Sequence, residues 1–531
     1  MPATPWPVDF ATTLAVAALA SLFFGAFLPP KALRRTTTTA FAFAVAFACT
    51  WMVPGIREAA ASAPVPLGGD VVGAVFFVLV TGIGLVVARY STRYLDGDPG
   101  LPGYARALLL TLGSVGVLVL SDDLLVASLA WVATSFALQP LLTHFPERPS
   151  AVVAAHKKFL VARASEVFLA TTLVLVGTSV GSFRYERIVA WVHERPTLPP
   201  AMQVAAVCLV VVVALRTAQL PFHGWLLQVM EAPTPVSALL HAGVVNVGGF
   251  VLVRTSPWLA KSPAAQAVLV TWGLTTLLVA SFVRKTRVSV KVDLAWSTCA
   301  QMGFMLVECG LGAWSLAFLH IVAHSLYKAH AFLASGSAVD DYRAASLLGP
   351  RSPSSTTSVP RRSGDVGGSW AVPLAASVAA AAVNVLGQVG PGTTLAMLAL
   401  LGLSPLSGPI PSAIEGARAA LVRRVAVAGT LLAVGHLAAG RLIPHVPFEN
   451  PFHGLDGGLV LVAFGLARAF EVLLANRPDG PWARRLYPHA FAGFHLDDAL
   501  TGWVFAWWHP RKPIEPAGRT PAWHEAAGGA R

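Results

Sequence analysis

Charge is what this sequence has least of. Asp, Glu, Lys and Arg make up 12% of the 531 residues, while hydrophobic residues make up 55%; soluble domains usually carry roughly 25% charge. A chain so poor in charge has no water-facing shell, which excludes a soluble enzyme of this length. Acid is the scarcer sign, with 26 Asp and Glu against 38 Lys and Arg and a formal net charge of +12. Cysteine is scarce too: Cys49, Cys208, Cys299 and Cys309 lie apart in apolar runs without CxxC spacing, which excludes a disulfide framework and a cysteine metal knot. The Walker loop, the GxGxxG fingerprint and HExxH are absent, so nucleotide-driven and metallopeptidase chemistry have no visible seat.

What the chain has instead is apolar length. Runs near the roughly 20 residues needed to cross a bilayer recur from residues 9–30 to residues 457–475, and mean hydropathy is +0.64. The reading is an all-α polytopic membrane protein of about 13–15 transmembrane helices. The basic surplus then follows the positive-inside rule rather than nucleic-acid binding. Lys31, Arg34 and Arg35, then Arg89, Arg93 and Arg106, then Arg148, Lys157 and Lys158 fall on alternate connections, which places the N-terminus outside. Arg184, Arg187 and Arg195 fall on the opposite side and blur that bias. The first apolar run lacks a basic n-region and reads as a retained span.

Four parts follow from the composition. Residues 1–340 form a front membrane block. Residues 341–369, rich in Ser, Arg, Pro and Gly, form a polar connection with too little apolar surface to fold alone. Residues 370–475 form rear helices, and residues 476–531 form an interfacial or partner-docking segment that mixes aromatics with charge. Regions 158–254 and 285–439 are candidate repeats, broken by Pro233 and Pro235 in one and by Pro405, Pro409 and Pro411 in the other.

The first of these breaks carries the chemistry. Between Arg216 and His241, ionisable groups and three prolines interrupt apolar sequence. Proline removes a donor from the helical ladder, and the freed carbonyls survive at membrane depth only inside protein or along a wet cavity. Charge at such a place marks an ion path by default. His320, His324 and Lys328 recur every four residues, so they share one helix face and span about 12 Å. Histidine passes protons near neutral pH. The alternative for each histidine is a bond to a neighbouring carbonyl. Lys291 either reaches the interior or snorkels outward. Glu308 lies in an apolar run and needs a partner or a proton.

Arg216 is a different case, because a guanidinium does not deprotonate in proteins. It acts as a fixed charge or as a gate that swings between carboxylates, with Glu231 and Glu166 as candidate counter-ions. Arg163 and Glu166 suit an i,i+3 pair, structural or functional. His223 follows Pro221 and reads as an interface position near the aromatic belt. His156, His330, Glu415 and Arg418 are weaker end stations.

Two stretches carry a resemblance: AQLPFHGWLLQVMEAPTPVSALLHAGVVNVGGFVLVR and LAWSTCAQMGFMLVECGLGAWSLAFLHIVAHSLYKAHAFLASGS. Over residues 100–340 the chain resembles the antiporter-like proton-translocating membrane subunits of respiratory complex I and of Mrp cation/proton antiporters. The resemblance implies that family's fold, with helices broken at the membrane midplane. It sets Arg216 at the lysine of the broken central helix, His241 at the histidine that follows its PTPVSALLH turn, Lys291 at the lysine that opens the STxxQxG helix, and His320, His324 and Lys328 at the His, His and Lys of the family's central hydrophilic axis. Two departures stand out. The family carries Trp-Glu on its fifth span where this chain reads Trp131-Val132, and Arg216 replaces the lysine that the glutamate pairs with. The ending FAGFHLDDALTGWVFAWWHP also stands where the complex I L-type subunit has a long lateral helix.

With WVATSFALQPLL and AAHKKFLVARASEVF, these departures resemble a narrower branch, the DabB family of inorganic-carbon accumulation complexes. That resemblance implies a bacterial inner-membrane subunit that conducts H+ or Na+ to drive CO2 hydration to bicarbonate. It implies a DabA-like zinc-binding partner whose site is like that of β-carbonic anhydrases, with no cofactor and no catalytic residue in this chain. The alternative is a proton-translocating subunit of a complex I-like NADH-quinone oxidoreductase or of an Mrp-type antiporter.

Overall fold

The computed structural model describes residues 6–51, 70–336 and 479–507, with single positions between 460 and 474. The polar connection, most of the rear helices, Pro405, Pro409, Pro411, Glu415 and Arg418 lie outside the described residues, so the full span count and the second candidate repeat do too. Among the described residues the elements are helices, with one isolated bridge between Asp123 and Arg184. In chain order these are α1 (Trp6–Gly25), α2 (Leu33–Trp51), α3 (Val71–Tyr94), α4 (Leu101–Leu120), α5 (Leu124–Leu142), α6 (Pro149–Val180), α7 (Tyr185–His193) and α8 (Pro200–Arg216). After the break come α9 (Gly224–Gln228), α10 (Thr234–Leu239), α11 (Val247–Arg254) and α12 (Ser256–Leu259). Then follow α13 (Pro263–Arg284), α14 (Val290–Gly310), α15 (Trp314–Ala334), α16 (Pro481–Phe491) and α17 (Asp498–Trp507).

Helices are the only open-chain solution where no water can satisfy the backbone, and local signals set their ends. Asp70 accepts from the Gly73 amide, Asp123 from the Leu125 and Val126 amides, and Ser262 from the Ala265 amide; each side chain occupies a helix N-cap and satisfies orphan donors. Gly181 ends α6 in the left-handed region at φ 71°, a conformation glycine adopts without cost. Among the described residues, six helical segments are long and apolar enough to cross a membrane. This is a multi-pass membrane protein.

The segment from Thr234 to Arg254 is the central one. It packs against α3, α8, α14 and α15, and 89% of its apolar window is buried inside the bundle, against 33% for α6 and 39% for α13. The latter two are therefore less enclosed by the described residues than the central segment is. Helices α13 and α14 meet closely because both carry glycine at the seam: a Cβ on Gly273 would lie 2.6 Å from the Gly303 carbonyl, and one on Gly303 would lie 2.7 Å from the Gly273 carbonyl. Small residues are how membrane helices gain contact where the hydrophobic effect does not drive them together.

Two lysines depart from the sequence reading. Lys157 and Lys158 belong to no connection. Helix α6 starts at Pro149, a proline in its first turn where the missing donor is harmless, and it buries Lys157 completely and Lys158 to 8% exposure. They therefore drop out of the positive-inside argument, and of that cluster only Arg148 remains exposed.

Candidate functional site

The break after α8 is a reorganised stretch of backbone. Ala218 adopts φ 53°, an uncommon conformation for a residue with a Cβ, and the amides and carbonyls released there find partners on α13. The Leu220 amide donates to Thr276 Oγ1 at 3.2 Å, and Trp272 Nε1 donates to the Leu220 carbonyl at 2.6 Å. A second irregularity lies at Leu240–Val244, where the helix widens into a π turn and the Val245 amide reaches back to the Leu240 carbonyl. Such turns concentrate at functional sites. His241 lies within this one, fully buried.

Arg216, in the last turn of α8, points into a polar nest. Its Nε donates to Ser165 Oγ at 2.8 Å, Nη1 to the Trp131 carbonyl at 2.9 Å, and Nη2 to Glu166 Oε1 at 3.1 Å. The Trp131 ring lies 4.9 Å from the guanidinium carbon. Arg163 Nη2 donates to the same Glu166 oxygen at 2.6 Å, so one carboxylate serves two guanidiniums. Helix α6 thus supplies the carboxylate that α5 lacks at Val132. Glu231, the other candidate counter-ion, lies elsewhere: it is 47% exposed and pairs with Arg148 at 3.7 Å.

Lys158 shares this nest. Its Nζ donates to the Ser135 carbonyl and to Ser135 Oγ, both at 2.9 Å. Lys158, Ser135, Trp131 and Arg216 line a cavity of about 40 Å³ that extends to Val244. A cavity of that size has room for about three waters. Val244 is three residues from His241, one turn along the central segment.

Beyond the central segment lies the second group. His241 Nδ1 and Thr298 Oγ1 are 3.0 Å apart, and the imidazole stacks on Phe332 with ring centres 4.4 Å apart. Lys328 is fully buried and donates to the Leu294 carbonyl at 2.9 Å. His324, 5% exposed, meets no hydrogen-bond partner at either ring nitrogen among the described residues. Its ring centre is 6.0 Å from that of His320, and His320 Nδ1 meets Glu308 Oε2 at 2.8 Å. Glu308 is 1% exposed. Lys291 is half-buried and its Nζ reaches Thr234 Oγ1 at 2.8 Å.

His223 is buried within the bundle. It is 1% exposed, with its ring 4.8 Å from that of Trp296. His330 is exposed. The structure also joins residues that no sequence pattern links: Lys157 donates to Asp497 Oδ2, across 340 residues of chain, and to Thr501 Oγ1. Among the described residues no group of three or more His, Cys, Asp or Glu side chains is placed to hold a metal ion.

Buried cations and imidazoles run through a helical bundle around a broken helix and a π turn, and the fold is that of antiporter-like membrane subunits. Residues 121–348 match the NADH:quinone oxidoreductase/Mrp antiporter transmembrane family, and residues 59–105 match the complex I chain 5 N-terminus. The Mrp complex from Dietzia sp. DQ12-45-1b shares the fold with a TM-score of 0.62 at 24% identity, over 94% of this chain and 59% of that one.

Among curated proteins, the chain is similar to DabB proteins. It is 48% identical over 270 residues to the "Probable inorganic carbon transporter subunit DabB2" of Halothiobacillus neapolitanus, covering 51% of this chain and 49% of that protein. It is 33% identical over 263 residues to NADH-quinone oxidoreductase subunit L of Escherichia coli, covering 49% of this chain and 43% of that one. The chain thus spans about half the length of the curated relatives it matches.

Proposed function

We propose that this chain is the ion-conducting membrane subunit of an inorganic-carbon uptake complex in the bacterial inner membrane. Protons or sodium ions run down their gradient past Arg216, His241, Lys291, His320, His324 and Lys328. The supporting observation is the succession of buried polar side chains, from the Glu166–Arg216 nest through the π turn at His241 to the His320–Glu308 pair, in a region otherwise packed with apolar residues. Unpaired ionisable groups are costly at membrane depth and persist where they serve transport. The histidines and Lys328 act as carriers, and Arg216 acts as a fixed charge.

The work would be done on a partner. One charge crossing supplies about 2.3 kcal/mol per 100 mV, and about 1.4 kcal/mol shifts an equilibrium tenfold, so one crossing can bias CO2 hydration toward bicarbonate. The partner is a DabA-like zinc-binding subunit with carbonic-anhydrase-like chemistry, a reading supported by the 48% identity to a DabB2 protein. The rival, an NADH-quinone oxidoreductase or antiporter subunit, draws on the 33% identity to subunit L; Val132 in place of the family's glutamate counts against it. Purification of the tagged chain from its host decides between them. A co-purifying zinc protein, with bicarbonate accumulation that a protonophore abolishes, is expected; co-purifying NADH dehydrogenase subunits overturn the assignment.

A further inference from the structure

We infer that Lys158 is the group that gains and loses the proton on the α5–α6–α8 side of the path, with Arg216 as its fixed neighbouring charge; this rests on the ion-conducting reading above. A path that passes Arg216 needs a titratable side chain beside it, because the guanidinium keeps its protons. The charged groups around Lys158 are Arg216, Arg163 and Glu166. Glu166 is committed to both guanidiniums through one oxygen. Lys158 is held differently, by two neutral acceptors on one residue, the carbonyl and hydroxyl of Ser135.

Position favours the same residue. Lys158 and Ser165 are seven apart on α6, and so share a face. Ser165 holds Arg216 while Lys158 faces the cavity that Arg216 also lines. Val244 also lines the cavity, and it lies three residues from His241 on the central segment, so the cavity touches the segment that carries the next ionisable side chain. The step itself is simple. The ammonium of Lys158 hands a proton to water in the cavity, and the neutral amine left behind takes up the next proton from the opposite end. No other bond forms or breaks. While the lysine is charged, two cations face one small space; release of the proton removes that like-charge contact and recapture restores it.

The test uses the full chain with its co-purifying partner, reconstituted in vesicles carrying a pH-sensitive dye under an imposed proton gradient. Lys158→Arg keeps the charge but cannot release the proton, so it should lose proton flux by at least about tenfold, as loss of a proton-transfer group does, while eluting as intact complex. Lys158→Ala should lose flux likewise and regain part of it with added ethylamine, which carries a proton into the vacated space. Flux in Lys158→Arg within about twofold of the unmutated complex overturns the inference alone, because charge at that position would then suffice. No flux in the unmutated complex overturns the ion-conducting reading and this inference with it.

Discussion

Glu166 and His324 show two different ways in which a single buried side chain matters. Glu166 is the shared acceptor of Arg163 and Arg216, so Glu166→Gln leaves two guanidiniums with no anion between them. Removing one partner of a buried ion pair costs about 3–5 kcal/mol. Arg163 is 30% exposed and can turn to water, so the loss should fall near the lower end, about 3 kcal/mol, read as a lower unfolding midpoint in detergent. His324 has the opposite character. Neither of its ring nitrogens holds a partner among the described residues, so His324→Ala orphans no polar group there and should leave assembly intact while abolishing carbon accumulation. Full accumulation in that variant would remove His324 from the carriers. The ladder on α15 was legible in the sequence because spacing of four puts residues on one face. The role of Glu166 was legible only as an alternative to Glu231, since sequence does not say which carboxylate comes within reach of Arg216.

Helix α6 shows how an element boundary decides what a residue means. A lysine pair beside Arg148 reads as a cluster on a connection, yet the helix begins eight residues earlier and carries both lysines inward. Proline in the first helical turn is the local signal for such a start, and Pro149 was there to be read. The break around Pro221, Pro233 and Pro235 was legible for the complementary reason: proline inside apolar sequence cannot continue a helix. What sequence could not supply is how the break is stabilised, since Thr276 and Trp272 come from α13. That dependence makes the α13–α14 seam the structural support of the break. Gly273→Ala sets a Cβ 2.6 Å from the Gly303 carbonyl, and overpacking of this kind costs about 1–3 kcal/mol. Thermal unfolding in detergent should show it as a reduced midpoint, with Gly103→Ala, where a Cβ meets nothing within 4 Å, as the tolerated control. Equal midpoints for the two variants would mean that the seam gives way without cost.

At the scale of the whole molecule, a buried charge on α6 ties the C-terminal segment to the bundle. Lys157 is completely buried on α6, and its anion, Asp497, arrives with the C-terminal segment between α16 and α17. Glycine at 224 permits the approach, since a Cβ there would overlap the Asp497 carboxylate. The segment read from composition as a surface for partners or lipid therefore also packs against its own bundle, beside the break that begins at Arg216. No local pattern in the sequence foretells this, because the two residues stand 340 positions apart. The pair is also asymmetric. Asp497 keeps 22% of its side chain exposed and Lys157 none, so loss of the aspartate strands a cation in the interior, whereas loss of the lysine leaves a carboxylate that water can reach. Asp497→Ala should thus cost about 3–5 kcal/mol, and Lys157→Met less. The double variant Lys157→Met with Asp497→Leu should recover most of the stability, since apolar replacement of a buried pair is often neutral. Unfolding midpoints measure the cycle, and limited proteolysis within residues 479–507 reports whether the segment has come away. If Asp497→Ala unfolds at the parent's midpoint and resists cleavage as well as the parent does, the C-terminal segment is held by its other contacts, such as the Arg287 bond to the Ala490 carbonyl, and Lys157 is not what anchors it.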